Sequence, residues 1–278
     1  MLNAPSEDAV VKKRFLVPNF FTGLNFLLGI YSILLMTEAF TLPSSGSALG
    51  SGKPSMILAA WLIVWCALFD KLDGFAAKLL KASSEFGAQF DSLADLTAFG
   101  IAPGFLVYFY LQWTNYPWFS THRPIMIVSV SVYMLCAALR LARFNAIDSG
   151  EMKEYFHGLP STFAGAFMAV SVILHWKHGF ALNPPPLPSS ILPLLLVLTG
   201  LLMVSPLYLP KLLRRQNPLF NTFQILNILV AYLCGFVMIF PEYLYVLGLT
   251  YGVIGFAHGL RKKDEIENSM LSASDEAE

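Results

Sequence analysis

Eight long apolar runs dominate the sequence and restrict it to a membrane environment. They cover residues 17–37, 56–77, 92–113, 124–146, 160–176, 190–209, 221–240 and 242–260. Most are long enough to cross roughly 30 Å of hydrocarbon at about 1.5 Å per residue, and 160–176 is at the short limit. Hydrophobic residues make up 56% of the chain and charged residues only 13%, about half the charged share of a soluble domain. The sequence therefore predicts an all-α integral membrane protein with about eight transmembrane helices.

The positive charges predict how these runs are oriented, because Lys and Arg collect on the cytoplasmic side of membrane proteins. If the runs alternate across the bilayer, 15 of the 18 Lys and Arg residues fall on one side, and Lys53, Arg123 and Lys177 fall on the other. This asymmetry predicts a multi-pass protein of the cell (inner or plasma) membrane with both termini in the cytoplasm. The first run is long and lacks a small-residue cleavage pattern, so we do not expect a cleavable signal peptide.

The same runs divide the chain into three parts. We expect a cytoplasmic segment over 1–16, a transmembrane domain with the functional residues over 17–260, and a polar, disordered cytoplasmic tail over 261–278. The three cysteines lie inside apolar runs, so no disulfide framework is expected. A net charge of +0, without a basic cluster interleaved with aromatic residues, gives no indication of a nucleic-acid partner.

Four carboxylates recur at fixed spacing where two of the runs meet the membrane boundary. Asp70 and Asp73 lie near the end of the second run, and Asp91 and Asp95 lie at the start of the third. Residues three or four apart share one face of a helix, so the four side chains converge if the two helices pack antiparallel. Clustered carboxylates repel one another unless a cation neutralises them, and oxygen-only sites favour Mg2+, Mn2+ or Ca2+. The pattern predicts a divalent-metal site, with solvated charges at helix ends as the alternative.

Small residues accompany these carboxylates and complete a longer pattern. Asp70 to Lys78 reads Asp-Lys-Leu-Asp-Gly-Phe-Ala-Ala-Lys, and Gly87 to Asp95 reads Gly-Ala-Gln-Phe-Asp-Ser-Leu-Ala-Asp. The two segments resemble the signature of the CDP-alcohol phosphatidyltransferases, Asp-x-x-Asp-Gly-x-x-Ala-Arg followed by Gly-x-x-x-Asp-x-x-x-Asp. Every position matches except Lys78, where the family usually has Arg. Lysine keeps the positive charge but loses the bidentate fork of the guanidinium group.

The resemblance implies the helical bundle of this family and a role for each matched residue. Asp70, Asp73, Asp91 and Asp95 would hold Mg2+ or Mn2+, and Asp95 would also be the base that accepts the proton of the acceptor hydroxyl. A Pro-Asn-x-x-Thr element, also typical of the family, opens the first run, although Pro and Asn are common at any helix start. The implied donor-binding residues are Asn19, Thr22, Gly74, Ala77, Lys78 and Gly87.

Two arginines and a Gly-Leu-Pro-Ser segment indicate one branch of the family. Arg140 and Arg143 lie at the cytoplasmic end of the fourth run, where they would bind an anionic part of a substrate or, alternatively, reach lipid headgroups. With Gly158 to Ser161 they resemble the phosphatidylserine synthase branch. The resemblance implies transfer of a phosphatidyl group from CDP-diacylglycerol to the hydroxyl of L-serine, with release of CMP, and suggests a homodimer.

Two other functions stay open at this point. An enzyme of the same family with another acceptor, such as glycerol 3-phosphate or inositol phosphate, would share the whole set of aspartates. A cation transporter would place acidic residues near mid-bilayer in several spans, and outside the Asp70 to Asp95 region such residues are nearly absent from the runs. The sequence therefore favours the enzyme.

Overall fold

Long helices make up almost all of the chain that the structure describes. The structure is a computed structural model that describes residues 7–41, 53–80, 84–114, 117–148, 155–179, 190–211, 218–263 and 265. The elements, in chain order, are α1 (Glu7–Thr41), α2 (Lys53–Leu80), α3 (Glu85–Asp95), the π-helical turn π1 (Leu96–Ile101), α4 (Ala102–Trp113), α5 (Pro117–Arg143), the π-helical turn π2 (Phe144–Asp148), β1 (Tyr155–His157), α6 (Ser161–Gly179), α7 (Ile191–Val204), β2 (Tyr208–Pro210), α8 (Pro218–Val237) and α9 (Pro241–Arg261).

Five helical segments are long and apolar enough to cross a membrane by length and composition. They are Asn19–Ala39, Ser55–Leu72, Glu85–Trp113, Thr121–Ala146 and Pro241–Arg261. Two shorter apolar helices, Ile191–Val204 and Asn221–Val237, lie over further predicted runs, and α6 lies over the remaining one. Helices satisfy their own backbone hydrogen bonds, which hydrocarbon cannot do. The predicted all-α membrane fold is confirmed, and each of the eight predicted runs coincides with a helical segment in the described residues.

The sixth run departs from the prediction at its end. Helix was expected to Leu209, but α7 ends at Val204 and the chain continues in extended conformation. Ser205 precedes Pro206, and a residue before proline is pushed out of the helical region. The chain then forms β2, which pairs antiparallel with β1 in the register Tyr155 to Pro210 and His157 to Tyr208. A short two-stranded sheet therefore lies beside the helical bundle.

The start of α3 is fixed by a side-chain cap. Ser84 has an extended backbone, and its Oγ accepts a hydrogen bond from the Gly87 N–H at 3.0 Å. Such a cap satisfies one of the donors that the first turn of a helix leaves without a partner. The cap therefore fixes the residue at which α3 begins.

The π-helical turn π1 follows Asp95 directly. Tyr133 of α5 donates its hydroxyl hydrogen to the Phe99 carbonyl at 2.7 Å, which satisfies a carbonyl of this turn. Gly165 of α6 packs against the same residue so closely that a Cβ there would lie 2.8 Å from Phe99 Cα. π-helical turns are rare and often occur at functional sites. The position of π1 directly after Asp95 therefore supports a functional site at this residue.

Candidate active site

Three carboxylates of α2 and α3 converge. Asp70 comes from α2, and Asp91 and Asp95 come from successive turns of α3. Each residue offers one carboxylate oxygen, and these three oxygens all lie within 4.8 Å of one another. We call Asp70, Asp91 and Asp95 the acidic cluster. The convergence expected from the sequence spacing is present for these three residues.

The structure does not test the fourth predicted ligand. Asp73 lies on α2, three residues after Asp70, and its side chain lies outside the part of the chain that the structure describes. Ala77 and Lys78 also lie on α2, and their side chains too lie outside the described part of the chain. Gly74 is exposed, with open space where a Cβ would project. Among the described side chains, the structure brings together three of the four predicted carboxylates, and the place of Asp73 in the site stays a prediction.

The acidic cluster has the properties of a cation site. Asp95 is only 9% exposed, and one carboxylate oxygen each of Asp91 and Asp95 is buried without a hydrogen-bond partner among the described residues. Buried carboxylates are strongly disfavoured without a compensating charge or hydrogen bonds. An oxygen-only donor set of this kind fits a hard divalent cation such as Mg2+ or Mn2+. The residues present therefore fit the predicted metal.

Two groups that sequence reasoning missed contact the cluster. Lys71 Nζ lies 2.8 Å from Asp70 Oδ2, and Thr162 Oγ1 donates to the same oxygen at 3.3 Å. Thr162 opens α6 directly after the Gly-Leu-Pro-Ser segment. The lysine follows Asp70 directly in the sequence, and neighbouring residues of a helix are expected to point to different faces. The threonine had no sequence signal other than its position next to that segment.

Arg140 lies on the same side of the bundle as the acidic cluster. Its guanidinium Nη1 donates to Ser161 Oγ at 2.9 Å, and the residue is 9% exposed. Ser161 is followed by Thr162, whose hydroxyl contacts Asp70, so the Arg140 guanidinium lies near the acidic cluster. The guanidinium also stacks 5.9 Å from the centre of the Phe144 ring. The structure thus brings this predicted residue towards the carboxylates.

Arg143 has different surroundings. Its Nη2 donates to the His157 carbonyl at 3.1 Å and its Nη1 to the Val204 carbonyl at 3.3 Å. These contacts connect the end of α5 to β1 and to the end of α7. Next to β1, Gly158 has a φ of +68°, and a Cβ there would clash with the Met203 carbonyl oxygen. Arg143 therefore holds the backbone that leads into Ser161.

Two predicted donor-binding residues of α1 lie beside α3. Asn19 Oδ1 would be 3.2 Å from a Cβ placed at Gly87, so Asn19 and Gly87 are neighbours. Thr22, one turn further along α1, is buried. The structure therefore brings Asn19, Thr22 and Gly87 to the same end of the bundle as the acidic cluster.

Comparisons with known proteins agree with this geometry. The sequence profile of the CDP-alcohol phosphatidyltransferase family matches residues 15–207. A Helicobacter pylori protein named CDP-diacylglycerol–serine O-phosphatidyltransferase is 33% identical over 202 residues, which cover 72% of this chain and 74% of that protein. A Methanocaldococcus jannaschii protein of the same name is 30% identical over 251 residues, 90% of this chain and 98% of that protein. A Saccharomyces cerevisiae protein of that name is 37% identical over 150 residues, 51% and 48% of the two chains.

The match covers the acidic cluster, both arginines and the Gly-Leu-Pro-Ser segment, and it extends over more than half of the chain. The predicted resemblance is therefore confirmed. The chain belongs to the CDP-alcohol phosphatidyltransferase family, in its phosphatidylserine synthase branch.

Proposed function

We propose that this protein transfers a phosphatidyl group from CDP-diacylglycerol to the hydroxyl of L-serine, giving phosphatidylserine and CMP. The observation that supports it best is the acidic cluster beside Arg140, in a chain whose relatives carry the name CDP-diacylglycerol–serine O-phosphatidyltransferase. In the reaction, the serine oxygen forms a bond to the phosphorus of the diacylglycerol phosphate. The bond from that phosphorus to the CMP oxygen breaks, and the hydroxyl proton goes to a base.

Asp70, Asp91 and Asp95, with Asp73 as the proposed fourth residue, would hold the divalent cation. Mg2+ or Mn2+ bound there would neutralise negative charge on the diphosphate and on the departing CMP. Lys71 lies against Asp70 and adds a positive charge at the same place. Lys78 is a further candidate for phosphate binding, although a lysine binds phosphate as a point charge and does not form the bidentate hydrogen bonds of an arginine.

Asp95 is the proposed base. A serine hydroxyl is a poor nucleophile at neutral pH and needs a proton acceptor within hydrogen-bond reach. Asp95 is buried, and its Oδ1 has no hydrogen-bond partner among the described residues, so this oxygen is available to a ligand. Burial also excludes bulk water, which would otherwise compete with serine for the phosphorus.

Arg140 is the proposed binding residue for the serine carboxylate. A guanidinium group binds a carboxylate through two parallel hydrogen bonds, and Ser161 already orients this side chain from one side. Arg143 supports this region by holding the His157 carbonyl. Glycerol 3-phosphate and inositol phosphate carry anionic groups that the same arginines could bind, and these acceptors remain the second candidates.

The membrane fold suits a reaction between a lipid and a water-soluble alcohol. The acyl chains of the donor would stay in the bilayer between helices, while serine and CMP exchange with the aqueous phase. The charge asymmetry of the sequence supports placing the acidic cluster and both termini on the cytoplasmic side of the cell membrane. Family resemblance supports a homodimer, which cross-linking in membranes would test.

The function is tested with the purified full-length chain in lipid nanodiscs. CDP-diacylglycerol, Mg2+ and labelled serine should give labelled phosphatidylserine and an equal amount of CMP. Asp91→Asn, which alters the acidic cluster, should abolish both products. Ser129→Ala, which removes a buried hydroxyl that donates to the Ile125 carbonyl of its own helix, should leave them unchanged. Absence of labelled lipid from the active, folded wild type would contradict the proposal.

A further inference from the structure

One side chain of α1 is buried near the acidic cluster with its polar atoms unsatisfied. Asn25 is 0% exposed, and neither its Nδ2 nor its Oδ1 has a hydrogen-bond partner among the described residues. A buried amide without partners is unfavourable, more so at membrane depth. By contrast, Ser32 on the same helix is also buried but donates to the Ala59 carbonyl at 2.9 Å. Asn25 is therefore available to a ligand in a way that Ser32 is not.

The packing of α1 against α3 places Asn25 level with the deeper end of the cluster. Asn19 neighbours Gly87, and Gly29 lies against Ala98, so the two helices run parallel with an offset of 68 or 69 residues (87−19 and 98−29). The offset puts Asn25 level with Leu93 and Ala94, the two residues before Asp95.

The packing of α1 against α2 places Asn25 at the same height in the bundle. Cys66 Sγ lies 3.5 Å from the Asn25 carbonyl oxygen and donates to it. Cys66 precedes Asp70 by one helical turn of α2. The Asn25 backbone thus contacts α2 one helical turn before Asp70, at the level of the residues that precede Asp95 on α3.

The chemistry of the free atoms selects a ligand. The Asn25 carboxamide offers two donors and an acceptor, and ionised Asp95 offers only acceptors. A diphosphate has only acceptors, so it would satisfy Asn25 Nδ2 but not Asp95. A metal ion would satisfy the oxygens but not Nδ2. A hydroxyl group both accepts and donates, so it can bind Asn25 Nδ2 and Asp95 Oδ1 together.

We propose that Asn25 binds the reacting hydroxyl of the alcohol acceptor, with its Nδ2–H donating to the hydroxyl oxygen while the hydroxyl hydrogen points to Asp95. This inference rests on the proposed function and deepens it. The amide fixes the oxygen without removing its proton, so it orients the nucleophile for the base. Neither the donor nor the metal needs Asn25 in this arrangement.

The test compares Asn25→Leu with Ser32→Ala in the full-length protein. Leucine has a similar volume and no polar atoms, so the melting temperature should not fall, whereas the Michaelis constant for serine should rise at least about tenfold. The Michaelis constant for CDP-diacylglycerol and the Mg2+ concentration for half-maximal rate should stay within about twofold. Ser32→Ala should lower the melting temperature and leave all three constants unchanged. If the leucine variant does not fold, Asn25→Ala replaces it.

Other outcomes overturn the inference. A rise in the donor constant would make Asn25 a donor-binding residue, and a higher Mg2+ requirement would make it a metal ligand. Unchanged constants in a folded variant would make its role structural. If the wild type releases CMP with another alcohol and not with serine, the proposed function fails, and the Asn25 comparison is made with that alcohol.

Discussion

Replacing Asp95 by Asn tests the assignment of the base. The amide has nearly the shape of the carboxylate but does not take a proton at neutral pH. General-base catalysis contributes about 10²–10⁴ in rate, which corresponds to about 2.7–5.4 kcal/mol at about 1.36 kcal/mol per factor of ten. Because Asp95 is only 9% exposed, bulk water is poorly placed to replace it as the base. We therefore expect the turnover number of Asp95→Asn to fall by at least about 10²-fold.

The same substitution should not unfold the metal-free protein. Asp95 shares the cluster with Asp70 and Asp91, with their oxygens within 4.8 Å. A neutral amide removes one of the three mutually repelling charges. In excess chelator, the melting temperature of Asp95→Asn should therefore equal or exceed that of the wild type. A loss of activity together with a lower melting temperature would indicate misfolding. The lower turnover number would then not support Asp95 as the base.

The assay is CMP release at saturating CDP-diacylglycerol and serine, with donor binding measured separately. Ser129→Ala is the control, because Ser129 is buried and donates to the Ile125 carbonyl of its own helix. Near-normal turnover in Asp95→Asn would contradict the assignment of Asp95 as the base and assign that role to another group. A parallel loss of donor binding and of Mg2+ affinity would show that Asp95 acts chiefly as a metal ligand.

Three further predictions concern the metal, the arginines and the packing around π1. Excess chelator should abolish CMP release and Mg2+ or Mn2+ should restore it, whereas full activity in chelator would contradict the cation site. Arg143→Lys should raise the Michaelis constant for serine more than that for CDP-diacylglycerol, since a lysine replaces the fork that holds the His157 carbonyl; a change in the donor constant alone would contradict this role. Gly165→Ala should lower the free energy of unfolding by about 1–3 kcal/mol in denaturant titrations, because its Cβ would lie 2.8 Å from Phe99 Cα, and Gly252→Ala, which projects into open space, is the matched control.

The spacing of residues along the sequence predicted the features that depend on neighbouring residues, namely the helices and the faces that they present. The apolar runs gave the helices, and the four-residue separation of Asp91 and Asp95 gave their shared face. Lys71 shows the limit of that rule. It is next to Asp70, where helical geometry predicts another face, yet its long flexible side chain reaches back to the Asp70 carboxylate at 2.8 Å.

Contacts between residues that are far apart in the sequence could not be predicted from residue spacing. Thr162 meets Asp70 across 92 residues, and no periodicity in either segment specifies that pairing. Substrate binding by Arg143 stays a prediction, and its hydrogen bonds to the His157 and Val204 carbonyls were not predicted because they depend on how β1 and α7 end. The π-helical turn after Asp95 also depends on packing, since Tyr133 and Gly165 reach it from two other helices.

The most direct test of the account measures CMP release from CDP-diacylglycerol with a panel of alcohols. The purified protein in nanodiscs is given equal concentrations of L-serine, glycerol 3-phosphate or inositol phosphate, with Mg2+ present. We predict the highest kcat/KM with L-serine and phosphatidylserine as the lipid product. A higher kcat/KM with either of the other two alcohols would contradict the assignment of serine as the acceptor, and no CMP release with any of them would contradict phosphatidyl transfer at the acidic cluster.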